Sequence, residues 1–145
     1  RTSVSAPTLN AEAVALLDEP VAANLATVGS DGMPHVTPVW VDVDDGDVIV
    51  NTAEGRTKTR NLRRSAKVAV CVVDAKDPFR VVALQGTVAD VTAEGAEAHI
   101  DRLARKYLGV DSYPMRQPGE QRVKIRIRPE RVLMQPAADT GRAEE

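Results

Sequence analysis

The sequence predicts an α+β fold that is mostly β, an antiparallel barrel decorated with short helices. Three observations carry this. Short runs rich in β-branched residues recur at close spacing from Val21 onward. Turns rich in glycine and aspartate separate several of them. The helical segments are inserted among the strands rather than alternating with them. A doubly wound parallel sheet fits poorly, and neither G-x-G-x-x-G nor G-x-x-x-x-G-K-[ST] occurs.

Each element has its own signal. Residues 8–19 read as a helix. Leu9, Ala13, Leu16 and Leu17 share one face, Asn10 or Thr8 can cap the start, and Pro20 stops it. Residues 21–28 read as a strand, closed by the Gly29-Ser30-Asp31-Gly32 turn. A second strand is expected over 34–42. After the Asp44-Asp45-Gly46-Asp47 turn a third begins at Val48, which gives a three-stranded meander. Residues 56–67 are compatible with a short helix, and 68–73 and 79–91 read as strands joined through Asp77-Pro78. Residues 94–108 form the clearest helix, with Ile100, Leu103, Ala104, Tyr107 and Leu108 in one stripe and Gly109 where a C-cap belongs. Beyond Pro114 and Pro118, residues 123–128 alternate apolar and basic with period two, a sixth strand. One domain is expected over 1–145, its core about 10–135, with a loose tail over 137–145.

Composition removes several functions. Length suits one domain with a real core, and 43% hydrophobic with 28% charged residues is ordinary globular usage. No apolar run is long enough to span a membrane, and the start lacks the blocks of a secretory signal. The single cysteine, Cys71, fits a cytoplasmic protein and reads as an inert thiol buried among valines. His35 and His99 lie far apart, so no metal site is expected, and the Asp42–Asp47 acids read as a solvated turn. A net charge of −2 and only 3% aromatic residues argue against a nucleic-acid binder.

Residues 51–64 are the most informative. Between 56 and 67 stand six basic residues and no acidic one, in a chain that is acidic as a whole. A strand, then Gly55, then hydroxyl and basic residues opening a helix present free N–H groups and side-chain donors to one anion. Arg supplies a bidentate fork and Lys a point charge, both suited to phosphate. The alternative is a solvated basic helix making surface ion pairs. The second basic run, 122–131, reads rather as an edge strand guarded by charge. Pro34 and Pro38 mark another edge or bulged strand, with Trp40 read as core and His35 as a surface residue. His99 reads as structural or exposed. No nucleophile elbow or triad shows itself, so a bound phosphorylated cofactor would carry the chemistry and no catalytic side chain is expected.

Four stretches taken together, 22–28, 31–40, 56–62 and Gln85-Gly86-Thr87-Val88, resemble the pyridoxamine 5′-phosphate oxidase-like split β-barrel superfamily. Within it they are most similar to the small actinobacterial flavin/deazaflavin oxidoreductases that use coenzyme F420. The resemblance implies an FMN-binding-like split barrel and a homodimer with cofactor sites at the subunit interface. Asn51, Thr52, Arg56, Lys58, Thr59 and Arg60 would hold the cofactor phosphate and its surroundings. His35, Thr37, Pro38 and Val39 would line the ring, and Phe79 would approach from the other subunit. The activity implied is hydride transfer from reduced deazaflavin to a conjugated acceptor such as an enone, quinone or tetrapyrrole. The alternatives are an FMN-binding flavoprotein of the same fold and a cofactor-binding protein without turnover. The Arg-containing substrate segment of the vitamin-B6 oxidases has no counterpart, so that oxidation is not expected.

Overall fold

The computed structural model describes residues 9–136. Residues of the first helix before Leu9, including the alternative cap Thr8, and the tail expected over 137–145 lie outside them. The elements run α1 (Ala11–Asp18), β1 (Ala23–Val28), β2 (Pro34–Val39), β3 (Val41–Asp44), β4 (Asp47–Ala53), α2 (Thr57–Arg64), β5 (Lys67–Val73), β6 (Val81–Thr92), α3 (Ala96–Leu108) and β7 (Arg122–Gln135). One antiparallel sheet contains all seven strands in the order β2-β1-β5-β6-β7-β4-β3, curled into a half-barrel with three short helices, the α+β split-barrel architecture.

The expected strand over 34–42 is two strands, and the expected meander is two hairpins. β1 pairs with β2 and β3 with β4, but β2 and β3 stand at opposite ends of the sheet. Only Trp40 separates them. A single residue cannot bridge more than a few ångströms, so the two edges must approach and the sheet must curl. Side chains of α3 satisfy the backbone at this corner. The Val41 N–H donates to the Tyr107 hydroxyl at 3.1 Å, that hydroxyl donates to the Val21 carbonyl at 3.1 Å, and the Lys106 ammonium donates to the Leu17 and Val41 carbonyls at 2.7 Å each. Burial pushes the Tyr107 hydroxyl pKa up and the Lys106 pKa down.

Local chemistry accounts for the other elements. The Asn10 side chain accepts from the Ala13 N–H at 2.8 Å and caps α1, whose Ala13, Leu16 and Leu17 are fully buried inside the curl. Asp45 and Gly46, with φ of 50° and 81°, make the two-residue turn between β3 and β4. Gly109 ends α3 at φ 72°. Leu25, Val41, Val48, Val70, Val72, Val82, Ile125 and Ile127 fill the interior. β4 is buried on both faces, because α3 covers the side turned away from the core.

β7 differs most from expectation. It runs to Gln135, past Pro129, and lies between β6 and β4, so it is not a charge-guarded edge. Arg126 instead ties the β3–β4 turn down, with hydrogen bonds to the Asp44 carbonyl at 3.2 Å and the Asp47 carboxylate at 2.9 Å. The true edge β2 places Pro34, Val36 and Pro38 opposite Val28, Ala26 and Asn24, alternate positions that share one side of the strand. Phe79 lies in the turn before β6 rather than on a strand. Cys71 is half-buried, since its side of β5 faces outward with Ala69 and Ala83 rather than into the core. Trp40 is half-buried as well. His99 is fully buried.

Two consequences are measurable. At the irregularity where β6 meets β7, a Cβ on Gly86 would collide with the Arg128 carbonyl. Gly86→Ala is expected to cost about 1–3 kcal/mol, the ordinary penalty of overpacking, and to lower Tm by several degrees in a calorimetric scan. His99 Nε2 stands 3.5 Å from the Asp42 carboxylate, the Val43 N–H donates to it at 2.9 Å, and Arg102 adds its charge. These hold its carboxyl at about 2 against an ordinary 3.8, with burial opposing. The stabilisation is complete above the ordinary value and is lost as pH falls through about 2. Acid titration of unfolding free energy should show this loss in the wild type and a smaller one in Asp42→Asn.

Candidate functional site

The corner at Trp40 brings together the ends of β2 and β4, the start of β7 and the entry to α2. Between them lies a cleft of about 240 Å³, walled by Pro38, Val39, Trp40, Asn51, Arg56, Lys58, Tyr113, Met115 and Arg122, with Ala22 and Ile100. Three of the chain's four aromatic residues gather here. Trp40 stacks on Tyr107 with centroids 5.1 Å apart, and Tyr113 meets Trp40 edge-on at 5.9 Å. The 109–121 segment carries Tyr113 and Met115. Arg116 pins it to α3 by pairing with Glu97 at 2.9 Å and Asp101 at 3.0 Å.

Three cations converge on the cleft. Lys58, in the first turn of α2, donates to the Thr37 hydroxyl at 3.0 Å and has no carboxylate partner among the described residues. Burial first, then the charges of Arg56 and Arg122, push its pKa down. Arg56 is exposed and reaches the Glu120 carboxylate at 3.5 Å. Arg122 is buried, donating from Nε to Asn51 Oδ1 at 2.8 Å and from Nη1 to Glu120 at 3.1 Å, with the Tyr113 ring over its guanidinium at 5.2 Å. The site thus holds an excess of positive charge beside an aromatic wall. It suits a flat ligand that carries an oxyanion.

The residues expected from sequence fall into three groups. Pro38, Val39, Asn51, Arg56 and Lys58 line the cleft, and Thr37 holds the Lys58 ammonium. Thr52 and Thr59 are turned inward. Their hydroxyls lie 3.2 Å apart, and Thr59 donates to the Ala53 carbonyl at 2.7 Å, fixing α2 to β4. Arg60 folds back onto its own loop, at 2.6 Å from the Gly55 carbonyl. Arg63 pairs with Glu54, and Arg64 donates to the Val28 carbonyl at 3.1 Å, so part of the basic run makes the surface contacts of the alternative reading. His35 lies outside the cleft wall, with a buried Nδ1 that has no partner among the described residues, and Phe79 is 78% exposed in the β5–β6 turn.

Arg122, Tyr113 and Met115 join the site without having been singled out. Arg122 sits at the head of the alternating run 123–128, and its place depends on β7 pairing with β4. No local pattern shows that. The aromatic cluster could have been suspected from scarcity alone, since so few aromatic residues are available.

The chain matches the family described as pyridoxamine 5′-phosphate oxidase over residues 9–135. Among solved structures it is similar to an F420 reductase, at 30% identity and TM-score 0.72, covering 81% of this chain and 93% of that one. It is also similar to a conserved hypothetical protein from Mycobacterium tuberculosis, at 26% identity and TM-score 0.69, covering 91% and 87%. The heme storage protein of Vibrio cholerae shares the fold at 17% identity and TM-score 0.62, covering 88% and 95%. A match across nearly the whole described chain, on a curled seven-stranded sheet with a cationic, aromatic-walled cleft, shows that this protein belongs to the pyridoxamine 5′-phosphate oxidase family.

Proposed function

We propose that the cleft holds the phosphate of coenzyme F420 and that the chain serves hydride transfer to a conjugated small-molecule acceptor. One observation carries this reading. Lys58 is a half-buried cation whose ammonium form is disfavoured by burial and by two neighbouring arginines, and no carboxylate of the described chain answers it. An oxyanion arriving there relieves that repulsion and gains charge-assisted hydrogen bonds of roughly 1.5–3 kcal/mol each. The 30% identity to an F420 reductase supports the deazaflavin over FMN.

Arg56, Lys58 and Arg122 would hold the phosphate, while Pro38, Val39 and Trp40 would form the wall against which the ring lies. When bound, the reduced deazaflavin supplies the hydride. The protein's own part is orientation and exclusion of water, the work of that wall together with Tyr113 and Met115 on the others. No side chain is placed as an essential acid, and solvent can deliver the proton.

The same reading includes a homodimer. β1, β5, β6 and β7 present two adjoining outer grooves of about 540 and 700 Å³, floored by small residues such as Ala26, Ala69 and Ala83. Val36 and Leu133, both exposed, stand beside them. A second copy seated there would cover apolar surface, and an exposed Phe79 is free to reach its partner's cleft.

Trp40 is the only tryptophan, so its fluorescence reports on the cleft. Titration with F420 should quench it tightly, FMN should bind more weakly, and Lys58→Ala should weaken F420 binding at least about tenfold with Tm unchanged. Unaltered affinity in Lys58→Ala would remove the phosphate assignment, and preference for FMN would exchange the cofactor. Sedimentation on dilution should show a dimer persisting to low concentration. A monomer that binds F420 fully would contradict an interface site.

A further inference from the structure

A buried polar chain runs from the surface acid Asp42 to the cleft, and its donors and acceptors fix one another. Arg122 Nε can only donate, so the Asn51 atom at 2.8 Å is Oδ1. The Asn51 amide nitrogen therefore faces the Ala96 carbonyl at 2.9 Å and His99 Nδ1 at 3.1 Å. Nδ1 must then accept, which places the proton of the neutral ring on Nε2, facing Asp42 at 3.5 Å. At the other end, Asn51, Glu120 and the Tyr113 ring hold Arg122 on three sides. Among the described residues its Nη2 has no partner.

We propose that His99 is a positioning residue for Arg122: through the Asn51 amide it fixes the guanidinium edge turned to the cleft, and a proton on Nδ1 releases it. The inference rests on the reading of the cleft as an oxyanion site. An imidazolium donates from both nitrogens, so Nδ1–H would face the Asn51 NH2 group, donor against donor, in a buried site. Turning the Asn51 amide over satisfies the ring. It then sets NH2 against Arg122 Nε–H and takes the donor away from the Ala96 carbonyl. Arg122 loses its buried acceptor and shifts. Asp42 faces Nε2 in both states, so the change of partners falls on the Arg122 end of the chain. The remaining charged groups around the ring are Asp44 of β3, Asp90 of β6, Lys124 and Arg126 of β7, and Arg102 of α3 itself.

Sulfate is a suitable probe, because it stays a dianion between about pH 8 and pH 5, the range in which histidines ordinarily titrate. Trp40 can report its binding, since Tyr113 touches both Trp40 and Arg122. Wild-type affinity for sulfate should fall about tenfold as pH drops through this range, the scale of one lost charge-assisted contact. Protonation of Glu120, a neighbour of Arg122, would act in the opposite direction. His99→Gln keeps an acceptor for Asn51 but cannot titrate, so it should match the wild type at high pH and show a flat profile. Arg122→Lys should bind weakly at every pH. By NMR without ligand, the Asn51 side-chain amide and the Arg122 Nε–H should shift together with the His99 ring titration. The relay is overturned if the His99→Gln profile matches the wild type, or if the Asn51 amide stays unmoved while the ring titrates. If sulfate fails to bind the wild type at all, the oxyanion reading falls, and the ligand-free NMR titration alone decides the relay.

Discussion

A one-residue connection between the two ends of a seven-stranded sheet is the constraint from which the rest of this structure follows. Strand twist alone would leave such a sheet open. Joining Val39 to Val41 through Trp40 forces the far edges together, and the enclosed space must then be filled. α1 does that with three fully buried side chains. The corner also breaks the ladder, so Val41 can pair on one side only. Its other backbone groups are taken up by Tyr107 and Lys106, which is why α3 lies across this end of the barrel.

The cleft is a by-product of the same corner. Pairing of β4 with β7 puts the start of α2 beside the start of β7, and the corner adds Pro38, Val39 and Trp40 as the facing wall, so cations far apart in sequence share one hollow. The resulting repulsion is tolerated because each cation has a different support. Lys58 leans on a hydroxyl, Arg56 on solvent and a distant carboxylate, Arg122 on an amide, a carboxylate and a ring. Arg122 is the most costly to bury, and it is the most completely held.

What could be read in the sequence was whatever has a local cause. The apolar stripe and Gly109 mark α3, the Asp45-Gly46 pair marks a hairpin, and Gly55 with the basic run marks the entry to α2. What could not be read depends on partners far away. Nothing within 34–42 looks like a corner, because the groups that satisfy it are 65 and 66 residues distant. The alternation in 123–128 shows a strand but not whether it is central, since Lys and Arg serve equally to guard an edge or to clamp a neighbouring acidic turn. Thr52 and Thr59 looked like ligand donors, yet each finds the other before any ligand could. Their hydroxyls determine where α2 sits, and through it where Lys58 points.

The two prolines of β2 bear on how the protein behaves in crowded solution. An edge strand with open N–H and C=O groups can template another chain, and the valine-rich sequence of this sheet would make such a seed persistent. Pro34 and Pro38 occupy alternate positions and carry no N–H, so along that side of the strand Val36 alone can donate. A second strand docking there would find a ladder with two of three rungs missing. The curl leaves β2 in place as a wall of the cleft, and the two prolines make it a poor nucleus for fibrils, both in the folded protein and in a nascent chain whose barrel has not yet closed.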